Sequence, residues 1–162
     1  MTQKLKEHRP VGEEFLAGAG APLTYDLNVP ARAVWAALVD GAAWSEWLPI
    51  TRVTWTSPQP FGIGTTRTVE IGKMRVEETF FAWDEGSRMA FRFDQSSFPV
   101  KAAVEDYQII DKGETCTFQW NGRVSAFFPL GWLITNQLKA GIRKGLPKLE
   151  QLIRENPQRF GL

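Results

Sequence analysis

Histidine and cysteine are almost missing from this chain, which holds one of each, His8 and Cys116, in 162 residues. A single cysteine closes no intrachain disulfide, so the cysteine content gives no support to a stapled, secreted scaffold. Zinc sites built from histidine and cysteine need three or four such ligands, and two are available. No metal and no cofactor is therefore expected. A nucleophile activated by an imidazole would have to recruit His8, which lies in a polar N-terminal tail. Long hydrophobic runs are absent too. No stretch approaches the ~20 apolar residues of a membrane span, and the N-terminus lacks the apolar core of a signal peptide. The expectation is a cytoplasmic protein with no integral membrane segment. Charge of one sign is also scarce: 19 Lys and Arg stand against 18 Asp and Glu, which argues against a dedicated nucleic-acid binder.

Aromatic residues are plentiful: seven Trp, eleven Phe and two Tyr, in a chain that is 43% apolar and 23% charged. A chain of this length makes one domain, burying about 70% of the surface its unfolded form exposes. The small net charge is unevenly spread, −1 over residues 1–72, −2 over 73–123 and +4 over 124–162. The last excess comes from Lys139, Arg143, Lys144, Lys148, Arg154 and Arg159 against Glu150 and Glu155. It reads as the solvated face of a helix, or as a patch for an acidic partner or an anionic lipid surface.

The hydrophobic period changes twice along the chain. Residues 1–21 are polar and then glycine-rich, an arm peripheral to the fold; residues 22–157 form the domain, and 158–162 a tail. Leu23–Val29 alternates as a half-buried strand does. Pro30 suits a helix start, and Val34, Trp35 and Leu38 share one face of a helix over Ala31–Val39. Asp40 can cap a second short helix that Pro49 ends. Period two then takes over, with strands expected at Ile50–Thr56, Thr65–Ile71, Arg75–Trp83, Arg88–Asp94, Val100–Ile110 and Thr115–Ser125. The short loops Gly72-Lys73, Asp84–Ser87 and Asp111–Glu114 make neighbours antiparallel. From Pro129, the spacing of Ile134, Leu138, Ile142, Leu146, Leu149 and Ile153 marks a long amphipathic helix.

The run Val29-Pro-Ala-Arg-Ala-Val-Trp-Ala-Ala-Leu-Val-Asp-Gly-Ala-Ala-Trp-Ser-Glu-Trp-Leu-Pro49 resembles the opening of the START-like, Bet v 1-like (SRPBCC) superfamily, in its polyketide cyclase/dehydrase branch. The turn Gly62-Ile-Gly-Thr65, the passage from Glu78-Thr-Phe80 to Trp83-Asp-Glu-Gly-Ser-Arg88 and the closing helix add to the resemblance. It implies an α+β helix-grip fold: a seven-stranded curved antiparallel sheet around a long C-terminal helix, with two short helices after the first strand. Such folds usually leave a cavity between sheet and helix. Fold of this kind constrains function weakly.

Alternation selects the residues that would wall that cavity. Met89, Phe91 and Phe93 share one face of their strand, and Cys116, Phe118 and Trp120 share one face of theirs. On Arg75–Trp83 the less charged parity is Val76, Glu78, Phe80 and Ala82, although Phe81 and Trp83 compete with it. The parity of Val69 and Ile71 includes Arg67, which would face Glu78. With Trp55 and the helix residues Leu138 and Ile142, these make the expected ligand wall: Trp55, Arg67, Glu78, Phe80, Met89, Phe91, Phe93, Phe118, Trp120, Leu138 and Ile142. Asp106 and Tyr107 are further candidate polar groups. Cys116 reads as an inert buried thiol, and Trp44 and Trp47 as anchors of the short helix.

Gly141, Gly145 and Pro147 interrupt the closing helix, each at a cost to its stability. They either soften a portal to the cavity or allow close packing on the sheet. Three functions follow. One is binding of an apolar small molecule (a lipid, a polyketide or an aromatic compound) as carrier or sensor. The second is an enzyme of the cyclase/aromatase type, with Glu78 as the best catalytic candidate. The third is a regulatory interaction protein. The partner expected is an apolar ligand, bound by a monomer or a homodimer.

Overall fold

The computed structural model describes residues 4–162. Five long or medium strands and three shorter ones build one antiparallel sheet: β1 (Lys6–Glu7), β2 (Leu23–Leu27), β3 (Arg52–Trp55), β4 (Thr66–Ile71), β5 (Met74–Asp84), β6 (Arg88–Ser96), β7 (Ala102–Asp111) and β8 (Cys116–Ser125). Its main path runs β2-β8-β7-β6-β5-β4-β3, so the expected seven strands are present in meander order, with the first strand closing against the last. The two-residue β1 is an addition: it pairs with β6 through Lys6 and Ser96, and Glu7 and Gln95.

Of the segment expected as a short helix or an arm peripheral to the fold, residues 4–21 dock on the domain, and residues 1–3 lie outside the described residues. A four-residue helix, α1 (Glu13–Leu16), follows β1 and buries Leu16. His8, placed by its sequence in a polar tail, is instead buried, and its Nε2 lies 2.5 Å from Ser96 Oγ. The reason is register: the His8 amide donates to the Asp94 carbonyl, so pairing of β1 with β6 draws the following imidazole over the sheet.

Helix α2 (Ala31–Val39) starts directly after Pro30, whose extended conformation places it as the N-cap. A 3₁₀ turn over Gly41–Ala43 follows, capped by Asp40, whose Oδ1 accepts from the Ala42 amide, and then α3 (Trp44–Trp47). Trp44 and Trp47 anchor this segment: both are buried, and their rings meet Tyr107 of β7 and Phe118 of β8 edge-on at 5.5 and 6.4 Å.

Helix α4 (Leu130–Glu155) is continuous through Pro147 and buries Ile142, Leu146, Leu149 and Ile153, the stripe its spacing indicates. Gly145 is a close-approach glycine. A Cβ there would stand 2.6 Å from the Trp47 carbonyl oxygen and 2.8 Å from the Leu48 side chain. Gly141, one turn earlier, has open space where its Cβ would be. The two glycines thus divide the alternatives: Gly145 lets α4 lie against α3, and Gly141 leaves room between α4 and the sheet.

Two irregularities on β5 explain why its facing was ambiguous. Register with β6 shifts between Glu77 and Glu78 and again between Phe80 and Ala82. Val76, Glu78 and Phe80 face inward, as the less charged parity requires, whereas Ala82 pairs with Ala90 and is buried outside the core cluster that holds Phe80 and Met89. Beyond the second shift Trp83 pairs with Met89 and packs 5.2 Å from the Phe80 ring. A bulge inserts one residue and flips the alternation that follows it, so both parities of the strand carry inward aromatic residues.

Candidate functional site

Between the concave sheet face and α4 lies a cavity of about 470 Å³. Its walls come from the sheet, two connections, α4 and α3, the last through Trp44. Strands β4 and β5 supply Arg67, Val69, Ile71, Met74, Val76 and Glu78; β6 and β7 supply Phe91, Phe93, Glu105 and Tyr107. The β6–β7 loop contributes Phe98, Pro99 and Val100, and the α3–β3 connection Leu48, Pro49 and Ile50. Helix α4 adds Leu130, Ile134, Gln137, Leu138, Gly141 and Ile142, which recur every three or four residues and so share one face. The wall is apolar except for Arg67, Glu78, Glu105 and Tyr107 on the sheet and the exposed Gln137 on α4.

Arg67 and Glu78 sit at directly paired positions of β4 and β5. The guanidinium Nε donates to Glu78 Oε2 at 2.6 Å, and both side chains are almost fully buried. Four rings surround the guanidinium: Trp44 at 4.4 Å, Phe91 at 4.5 Å, Phe80 at 5.0 Å and Trp55 at 5.5 Å from its central carbon. Stacking of this kind favours the cation in a dry site. Arg67 Nη1 is buried and has no hydrogen-bond partner among the described residues. A buried donor left unsatisfied costs about 1–3 kcal/mol.

Glu105 is the second buried carboxylate. Its Oε1 accepts from the Tyr107 hydroxyl at 3.1 Å and from Trp120 Nε1 at 3.0 Å. Burial raises its pKa, against the lowering effect of those two donors. Burial also pushes the Glu78 carboxyl up to about 7; Arg67 pulls it back and Glu105 raises it further. Glu78 therefore exchanges its proton near neutrality while in contact with the cavity. The Tyr107 hydroxyl moves well above its ordinary value, by burial and by the neighbouring Glu105, and stays a proton donor.

Six of the eleven residues expected on the wall stand there: Arg67, Glu78, Phe91, Phe93, Leu138 and Ile142. The other five belong to the packed core around it. Trp55 stacks on Phe61 at 4.3 Å and joins Phe80 and Trp83 in an aromatic cluster beyond Arg67. Met89 pairs with Trp83 past the β5 bulge. Phe118 lies under Trp47, and Trp120 spends its indole nitrogen on Glu105. Phe80 and Trp55 still act on the site, as two of the rings that hold the Arg67 guanidinium.

Tyr107 lines the cavity, whereas Asp106 points to the other face and accepts from Arg88 Nε at 2.9 Å. Glu105 was missed. In the pair Glu105-Asp106 the charge suggests solvent, yet Glu105 shares the parity of Tyr107 and Ile109, and that alternation was the available signal. The loop residues Phe98 and Pro99 carry no periodic signal, and Val100, expected to open a strand, stands in the loop before β7. Cys116 is a free, buried thiol whose pKa burial raises to about 11. Among the described residues no cluster of His, Cys, Asp and Glu has the arrangement of a metal site, and no helix is long and apolar enough to cross a membrane.

Comparison with known proteins agrees with this architecture. An uncharacterized protein of Mycobacterium tuberculosis is 43% identical over 100 residues, and the match spans 60% of this chain and 60% of the length of that relative. Among solved structures, a START superfamily protein from Mycobacterium smegmatis superposes with a TM-score of 0.68 at 15% identity, covering 85% of this chain and 99% of the other. The di-domain ARO/CYC protein BexL gives 0.67 at 16% identity, over 85% of this chain and 47% of BexL. Ara h 8.0201 gives 0.67 at 15% identity, over 86% and 100%. At such identities these likenesses establish the START/Bet v 1 fold. The sequence pattern of one family matches residues 23–154, nearly the whole domain. The chain belongs to the polyketide cyclase/dehydrase and lipid transport family.

Proposed function

We propose that this protein binds an apolar small molecule between its sheet and α4, as a carrier or sensor, and that the ligand carries an oxygen at its buried end. The observation that supports this reading is the combination of an apolar cavity of about 470 Å³ with the Arg67 guanidinium in its wall, held by Glu78 and by aromatic rings. Apolar walls supply affinity through buried area, and a few convergent polar groups fix orientation. A carboxylate, phenolate or enolate oxygen would complete the hydrogen bonding of the guanidinium. Fatty acids, polyketides and aromatic phenols all meet that description.

A thermal-shift screen of fatty acids, sterols, flavonoids and polyketides tests the proposal. A ligand present at about 100 times its Kd adds ~2.7 kcal/mol of stability, a clear rise in melting temperature. Stabilisation by oxygen-bearing ligands is the expected result; a screen in which no class stabilises the protein removes the proposal.

A second reading, an enzyme of the cyclase/aromatase type, is favoured by one observation: Glu78 touches the cavity and is half-ionised near neutrality. A carboxyl of that kind can take and return a proton beside a keto group, with Arg67 holding the developing enolate oxygen. Conversion of a poly-keto substrate that Glu78→Gln abolishes, with binding retained, would select this reading over simple carriage.

A further inference from the structure

The turn from β8 into α4 displays large apolar side chains that the cavity does not use. Phe127, Phe128, Trp132 and Leu133 are 77, 94, 66 and 43% exposed, while Trp35, Trp44, Trp47 and Trp120 are all buried. Their backbone is pinned from behind. A Cβ on Gly131 would stand 2.8 Å from the Val124 carbonyl oxygen and 3.2 Å from the Ala126 amide, so only glycine allows α4 to begin this close to the end of β8. The ridge is thus a fixed display rather than a trailing loop. It also adjoins the cavity mouth: Leu130 and Ile134, its neighbours on α4, line the cavity.

The charged side chains that touch this region are cations. Lys101 Nζ stands 4.3 Å from the centre of the Phe127 ring. Beside the ridge lies an open groove of about 410 Å³, bounded by Phe128 and Trp132 on one side and by Arg9, Phe15 and Arg123 on the other. The guanidinium groups of Arg123 and Arg9 flank the Phe15 ring at 4.4 and 5.8 Å, and both arginines are exposed.

From this juxtaposition we propose that the ridge docks on an anionic phospholipid bilayer, with Phe127, Phe128 and Trp132 in the interface and Arg9, Lys101 and Arg123 against lipid phosphates. Aromatic rings settle at the boundary between headgroups and acyl chains, and basic residues beside them add attraction to anionic lipid. Docked in this way, the mouth between α4 and the β6–β7 loop would face the acyl region. The ridge and its cations are separate from the Arg67 site, so this inference does not depend on what the cavity holds.

The test is co-sedimentation of the full chain with phosphatidylcholine vesicles, with and without phosphatidylglycerol. Binding is expected with phosphatidylglycerol and should weaken with salt. The double variant Phe128→Ala, Trp132→Ala should bind about tenfold or more weakly, from lost apolar contact. Lys101→Glu should weaken binding by about fivefold or more, the equivalent of ~1 kcal/mol per basic residue at the surface. These positions are exposed, so the melting temperatures of the variants should match that of the parent, and Trp132→Phe should lose the blue shift of tryptophan emission on vesicles. Failure to sediment with phosphatidylglycerol vesicles overturns the proposal. So does undiminished binding by the aromatic double variant. A homodimer that the same two substitutions dissolve would also overturn it, by assigning the ridge to a second copy of the chain.

Discussion

Arg67 and Glu78 face each other across the β4–β5 ladder, joined at 2.6 Å, and the guanidinium lies inside a ring of four aromatic side chains. The pair is expensive in isolation. Removing two charges from water costs several kcal/mol each, and mutual attraction returns only part of it. Arg67→Met should therefore destabilise the fold by roughly 3–5 kcal/mol, because Glu78 is left buried beside Glu105 with no cation. Adding Glu78→Leu should restore most of that loss. Urea unfolding of the single and double variants measures it; a double variant no more stable than Arg67→Met would contradict the coupling.

Protonation of Glu78 should govern the affinity for anionic ligands. Its pKa in the folded protein, about 7, lies above its ordinary value of 4.5. The folded state therefore holds a proton that the unfolded chain has released between those two values. This contribution to stability is complete below 4.5 and is lost as pH rises through 7. Below 7, a neutral Glu78 leaves the Arg67 charge to the ligand; above 7, its carboxylate competes. Titration of an anionic ligand should show weaker binding above pH 7, and Glu78→Gln should flatten the profile.

His8 should act in the opposite direction on stability. Its burial lowers the imidazole pKa below 6.5, against the raising effects of the Val100 backbone and Asp94. The neutral form packs against Ser96, so its contribution is present above about 6.5 and is lost as pH falls towards the folded-state value. Unfolding measured on both sides of that value should show His8→Gln to be less acid-sensitive than the parent. An unchanged acid limb would place the loss of stability elsewhere.

The two glycines of α4 should respond oppositely to the same change. Gly145→Ala drives a methyl to 2.6 Å from the Trp47 carbonyl and should separate α4 from α3, lowering the melting temperature. Gly141→Ala meets open space and gains about 1 kcal/mol of helix propensity. Thermal melts of the two variants distinguish a packing glycine from a cavity glycine.

Much of this architecture was legible in the sequence because it is carried by period. The stripe Ile142, Leu146, Leu149 and Ile153 marks α4, and alternation alone on β4 and β5 brings Arg67 against Glu78. What alternation could not supply is depth. Met89, Phe118 and Trp120 do face inward, yet α2, α3 and Glu105 cover them, and only the far half of the sheet stays open to a ligand. Bulges also broke the rule locally, at Phe80 and Ala82, and put Trp83 on the inner face. The β6–β7 wall was illegible for a different reason: Phe98 and Pro99 belong to a loop, where apolar residues have no period to betray their direction, and the alternation that starts a strand at Val100 runs two residues too far into that loop.

The cavity between sheet and α4 is a binding site only if it accepts a ligand. Titration with 1-anilinonaphthalene-8-sulfonate, an aromatic probe with an anionic oxygen group, examines this most directly. The native protein should bind it saturably at one site with blue-shifted emission. Leu138→Trp, which fills the cavity from α4, should abolish that binding at an unchanged fold, while Phe128→Ala with Trp132→Ala should retain it. Binding that Leu138→Trp leaves intact, or no saturable binding at all, would contradict the assignment of the cavity as the ligand site.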